Sequence, residues 1–174
     1  GNNGGDGFAA ALELDKNGFE VSVFCISTLE EITGDAKYFL DLCINGNIQI
    51  EFSGDLLDEG YGCDLIIDAL LGTGVHGTVK ESIIPWIEWI NAKNCVVLSV
   101  DIPTGLQADS GIAEPVGVRA DFTITMGCAK LGLAMRQGPF LAGEIHIADI
   151  GFPAEAVDEL SGLNWHKEMD ESIS

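Results

Sequence analysis

Apolar residues along this chain fall into two alternating spacings. Behind an opening "GNNGGDG", residues Phe8, Ala9, Ala10, Ala11, Leu12 and Leu14 form a helical stripe with good helix formers between them. Asn17 and Gly18 end that stripe in the usual C-terminal manner. "FEVSVFCIS" (19–27) then reads as a strand, being rich in β-branched and aromatic residues. A helix over roughly 35–45 leads to a short strand, "IQIEF" (48–52). "CDLIIDALLGTG" (63–74) is a buried strand running into a loop. "KESIIPWIEWINAKN" (80–94) is a helix with Ile83, Ile84, Ile87 and Ile90 along one side and Pro85 in its first turns. "CVVLSVDIPTG" (95–105), "ADFTITMG" (120–127) and "GEIHIADIG" (143–151) complete the series of strands. Continuous apolar runs of this kind predict strands covered on both faces, hence a mostly parallel sheet. The alternation predicts an α/β, Rossmann-like doubly wound fold with helices on both faces.

Residues 1–160 read as one domain and 161–174, beginning "SGLNWHKEMDES", as a polar tail or linker. In such folds a buried strand feeds the first glycine loop, and none precedes Gly1. The expectation is therefore a domain whose N-terminal strand and helices lie upstream, with two sheet edges left unpaired.

Composition narrows the partners. With 174 residues and 47% hydrophobic content the chain builds a real core, and it has no 18-residue apolar run. Cys25, Cys43, Cys63, Cys95 and Cys128 are scattered, odd in number and mostly set in apolar strand segments. They read as reduced core thiols of a cytoplasmic protein rather than disulfides or a metal site. His76, His146 and His166 show no ligand spacing. A net charge of −20, from 28 acids against 8 bases, argues against nucleic acid and anionic membrane. A phosphorylated ligand would then need backbone amides, a helix dipole or a bound cation.

The glycine opening suits such a ligand, because glycines let N–H groups come close and a helix N-terminus carries partial positive charge. The plainer reading is a tight turn capped by Asn and Asp, since the stretch is neither GxGxxG nor a P-loop. Its neighbours decide. Asp68 ends one buried strand ahead of "GTG" (72–74), and Asp101 ends the next ahead of "IPTG". "MGCAKLGL" follows the strand at 121–126. In a parallel sheet all of these loops meet at the carboxyl rim, where ligands bind.

The ordered set GNNGGDG, DALLGTG, VDIPTGLQADSG, ADFTITMG, AKLGL and GEIHIADIGFP resembles the YjeF N-terminal domain family, the NAD(P)H-hydrate epimerases, over roughly residues 1–153. The resemblance implies repair of hydrated NADH and NADPH by interconversion of their R and S epimers. It also implies a homodimer in the full-length protein, and a dehydratase, fused or separate, that restores the S form. Carried over by position, the substrate-binding residues are Asn2, Asn3, Gly4, Gly5 and Asp6, then Gly72, Thr73, Gly74, Val75, His76, Gly77 and Thr78, with Asp101. A potassium ion falls to Asn3, Asp68 and Thr104, the last replacing the family's usual Ser. Val75 and His76 depart from the family's commoner Leu after GTG.

The chemistry of the residues agrees with that transfer. An amide oxygen, a carboxylate and a hydroxyl suit a hard cation. Epimerisation by loss and return of a hydroxyl calls for an acid that then serves as base, and Asp101 is the candidate. Its alternative role is to anchor the IPTG turn. Asp68, at a strand end, reads as replaceable without harm to the fold. Two rival functions stand beside this one. A noncatalytic scaffold of the same fold, as in an mRNA-decapping enhancer, fits poorly with Asn3, Asp68, Asp101 and Thr104 together. An NAD-dependent oxidoreductase lacks GxGxxG, although Glu30 and Glu31 lie near the spacing of its ribose-binding acid.

Overall fold

The structure, a computed structural model, describes residues 2–52, 62–74 and 77–151. Val75, His76 and the expected tail at 161–174 lie outside them. Helix α1 spans Asn2–Lys16 and strand β1 Ser22–Cys25, followed by a 3-10 turn at Leu29–Glu31. Helix α2 (Gly34–Asn45) leads to β2 (Gln49–Phe52). Strand β3 (Leu65–Asp68), helix α3 (Ile84–Asn91) and β4 (Val96–Val100) follow, then β5 (Phe122–Met126). Two short helices, α4 (Leu131–Ala134) and α5 (Gly138–Leu141), precede β6 (Glu144–Ala148). Those last two helices carry no sequence signal of their own, because four residues cannot show a helical period.

Every named strand pair is parallel, as the apolar runs require. The strands lie in the orders β1–β2 and β3–β4–β5–β6. Among the described residues no ladder joins β1 to β3. In the central strands one face is fully buried, through Val97, Ser99, Thr123 and Thr125, while the other is covered only in part, with Leu98, Phe122, Ile124 and Met126 half-buried. Coverage of both faces fails for β2 and β6, which are outer strands with mostly exposed or half-buried side chains. Helix α3 packs Ile83, Ile87 and Ile90 onto Val97, Val118 and Ala120. A second cluster joins Phe8 and Ala11 of α1 to Cys25, Leu40, Cys43 and Ile48.

Helix endings follow the chain's stop signals. Gly18 at φ 84° closes α1, with Phe19 N–H donating to Leu14 O (3.1 Å) and Gly18 N–H to Asp15 O (2.9 Å). Helix α2 stops the same way, with Asn47 rather than a glycine in the left-handed position (φ 61°).

The glycine opening differs from its expectation. Gly4, Gly5 and Gly7 lie in the first two turns of α1, not in a loop. The reason is close approach. A Cβ on Gly5 would stand 3.2 Å from Ala36 Cα on α2, and one on Gly7 would stand 2.8 Å from Ala69 Cβ just beyond β3. Each glycine in a helix costs about 1 kcal/mol against Ala, offset here by packing that a side chain would block. The cysteines also depart from expectation. Cys25 alone lies in a strand; Cys43 is on α2, and Cys63, Cys95 and Cys128 flank strands.

Candidate active site

The expected rim is present at the carboxyl ends of β3, β4 and β5, with the start of α1 beside it. It carries two groups of polar side chains.

The first surrounds Asp68, the last residue of β3, only 1% exposed. Its Oδ2 accepts from Ser99 Oγ (2.9 Å) and Thr104 N–H (2.8 Å), and its Oδ1 from Thr104 Oγ1 (2.6 Å). Thr104 Oγ1 accepts in turn from Leu71 N–H (3.0 Å). Burial pushes the Asp68 carboxyl above its ordinary range, against the opposing pull of the Thr104 and Ser99 hydrogen bonds. Asp68, not Asp101, therefore anchors the IPTG turn. Removing it would strand the buried Thr104 N–H and Ser99 hydroxyl, so the expectation that it is dispensable to the fold fails.

Asn3, 7% exposed, reaches into this group from α1. Its Nδ2 donates to Leu71 O (2.9 Å), which fixes the orientation of the amide, since a carbonyl needs a donor. Its Oδ1 is left buried with no hydrogen-bond partner. Gly72 makes room for it: a Cβ there would stand 3.0 Å from Asn3 Cβ and 3.4 Å from Oδ1. The group is thus an orphaned amide oxygen, a buried carboxylate, a hydroxyl and a nearby carbonyl. Among the described residues no ion pair involves Asp68. Oxygen donors around an unneutralised carboxylate suit a hard monovalent cation. Among the described residues no cluster of three or more His, Cys, Asp or Glu suits a transition metal.

The second group is built on Asp101. Its backbone sits in the left-handed region at φ 68°, a conformation worth roughly 1–3 kcal/mol of strain for a non-glycine residue and frequent at functional sites. Its N–H donates to Ile124 O (2.7 Å). Its Oδ1 accepts from Met126 N–H (3.2 Å) and Thr125 Oγ1 (3.4 Å), and pairs with Lys130 Nζ, which also donates to Met126 O (2.9 Å). The side chain is thus held toward the end of β5 and away from the turn that follows it. Gly105, at φ 95°, completes that turn where a Cβ would meet Val116 O at 2.5 Å. Asp6 on α1 lies within electrostatic reach: burial, and then the charge of Asp101, raise its carboxyl above the usual value.

Gly4 has nothing within 4 Å of where a Cβ would stand, so the backbone there is open to a ligand. Thr73, Gly74, Gly77 and Thr78 are exposed, and Gly77 O accepts from Gln107 Nε2 (3.1 Å). Glu30 and Glu31, near the spacing of a ribose-binding acid, are not at a strand end. They belong to the 3-10 turn, where Glu31 Oε2 accepts from Thr28 N–H (2.9 Å). Sequence reasoning missed two partners, Ser99 and Lys130. Ser99 is the one polar residue inside "VVLSV", and Lys130 is a lysine just beyond a strand end in a chain with 8 bases.

Comparison with known proteins gives the same grouping. Residues 1–132 match the family described as YjeF-related protein N-terminus. The chain is 36% identical over 155 residues to the NAD(P)H-hydrate epimerase of Levilactobacillus brevis, covering 89% of this chain and 71% of that protein. It is 35% identical over 164 residues to the bifunctional NAD(P)H-hydrate repair enzyme Nnr of Thermofilum pendens, covering 91% of this chain. It spans 31% of the length of that bifunctional relative. The crystal structure of yeast YNL200c superposes with a TM-score of 0.73 at 21% identity, over 92% of this chain and 68% of that one, so the fold is shared.

Proposed function

Because the chain belongs to the YjeF-related N-terminal family, we propose that it is an NAD(P)H-hydrate epimerase domain, an isomerase that interconverts the R and S epimers of hydrated NADH and NADPH. The observation that carries this reading is one rim holding both an orphaned oxygen pocket, at Asn3, Asp68 and Thr104, and the strained Asp101 paired with Lys130. The relatives that bear the epimerase name support it.

Asn3 Oδ1, the Asp68 carboxylate and Thr104 Oγ1 would hold a potassium ion. When bound, that ion supplies positive charge for a dinucleotide diphosphate in a chain of net charge −20. The N–H groups at the start of α1, bared by Gly4, would meet the same diphosphate. Thr73, Gly74, Gly77 and Thr78 would face the ligand from the other side.

Asp101 then carries the proton. The lone pair of the ring nitrogen expels the hydroxyl from the hydrated carbon as Asp101 protonates it, and water leaves. Water returns to the opposite face, the new C–O bond forms, and Asp101 takes the proton back. Lys130 Nζ, bonded to Asp101 Oδ1, supplies that proton at the start and recovers it at the end. A dehydratase consumes the S epimer.

Soaking crystals of the protein with NADP tests the binding half of this reading. Dinucleotide density against the start of α1 and residues 72–74 is the expected result. No density at saturating ligand would favour a scaffold of the same fold.

A further inference from the structure

The end of the sheet opposite the rim carries a pair of thiols that the proposed reaction does not use. Cys63 lies two residues before β3 and Cys95 immediately before β4, at the amino ends of two paired strands. Their register, Leu65 opposite Val96, offsets the two cysteines by a single residue. Val96 N–H donates to Asp64 O (3.2 Å), so the two backbones are held as neighbours at that level. The Sγ atoms are 3.3 Å apart and half-buried. Both cysteines lie just outside the regular ladder, where the backbone turns the two side chains toward each other. Closing the sulfurs to about 2.05 Å is then a matter of side-chain rotation. The other cysteines are placed differently. Cys25 and Cys43 are buried, Cys43 Sγ donates to Phe8 O (3.4 Å), and Cys128 sits on the rim side beyond β5.

We propose that Cys63 and Cys95 form a dithiol modification site that reduces a low-molecular-weight disulfide of the glutathione type and becomes an intrachain disulfide. One cysteine thiolate attacks a sulfur of the external disulfide and expels the first small thiolate, leaving a mixed disulfide. The second cysteine thiolate attacks the protein sulfur of that mixed disulfide and expels the second. Two protein thiols are oxidised, one external disulfide is reduced to two thiols, and the two cysteine protons end on those thiols. Burial, then the neighbouring Cys63 thiol, push Cys95 up to about 11, so little of it is thiolate at neutral pH. The bridge would staple the starts of β3 and β4 while Asp68, at the far end of β3, keeps its partners.

The test treats the reduced chain with excess oxidised glutathione at neutral pH, alkylates the remaining thiols and maps non-reduced peptides. A peptide joining residues 63 and 95, with Cys25, Cys43 and Cys128 still alkylated, is expected. The melting temperature of the oxidised form should rise by roughly 5–10 °C, as closing a loop of this size implies. Cys95→Ser and Cys63→Ser should each give no joined peptide and should instead hold a glutathione adduct on the remaining cysteine of the pair. Absence of the joined peptide in the wild-type chain, or oxidation spread over all five cysteines, overturns the proposal. The wild-type map decides even where a serine variant folds poorly.

Discussion

At the scale of single residues, Asp101 and Asp68 divide two tasks that the sequence leaves open between them. Both are aspartates at the ends of apolar strands, and both were legible because those strands are so strongly apolar. Two of their partners were not, since Lys130 and Ser99 reach them only through the fold. Asp68 turns inward and fixes the IPTG turn through Thr104, while Asp101 is bonded to Lys130 and Met126. Asn tolerates the left-handed backbone of position 101 and still accepts from Met126 N–H. Asp101→Asn therefore removes the acid and the charge and little else. Turnover should fall by roughly 10²–10⁴ while ligand affinity stays within a few-fold. Epimerisation rates and dissociation constants measured on both proteins check this, and near-normal turnover would take Asp101 out of the proton transfer.

At the scale of elements, the opening helix shows where a sequence misleads. Three glycines in four residues read as a loop, because glycine's commonest use is conformational freedom. In α1 they serve packing and access, and nothing local distinguishes those uses. The strands, by contrast, were found at nearly their observed positions, because burial in a parallel sheet writes a continuous apolar run. The three glycines should separate on substitution. Gly7→Val drives side-chain atoms into Ala69 beside the rim and should destabilise by about 1–3 kcal/mol. Gly4→Ala meets open space and should stabilise by a few tenths to about 1 kcal/mol, while weakening dinucleotide binding by covering the approach. Urea midpoints and ligand titrations on the two variants provide the check. Equal stability effects of the two would contradict the packing described for α1.

At the scale of the molecule, charge is the governing fact. On the proposed reading, a dinucleotide meets a chain of net charge −20, and the buried Asn3 Oδ1, which has no hydrogen-bond partner, is where the proposed potassium ion would sit. If potassium fills that pocket, it stabilises the folded state by RT ln(1 + [K⁺]/Kd), roughly 2.7 kcal/mol at a hundredfold excess over Kd. The thermal midpoint should rise with potassium chloride beyond its rise in tetramethylammonium chloride of equal ionic strength, and dinucleotide affinity should rise with it. Identical curves in the two salts would remove the cation from the account. The charge, the rim and the three oxygen-bearing residues Asn3, Asp68 and Thr104 were legible from the sequence. The orphaned oxygen was not, because it depends on how closely Gly72 lets Asn3 approach Leu71.

The central claim, that this rim epimerises hydrated nicotinamide cofactors, is tested most directly by the fate of the R epimer of hydrated NADH. A dehydratase specific for the S epimer is added in excess, and recovery of NADH is followed at its absorbance after the initial S epimer is exhausted. With the protein present, the remaining R epimer should drain into NADH at a rate proportional to protein concentration, and Asp101→Asn should abolish most of that rate. Recovery no faster than in the protein-free control would contradict the account.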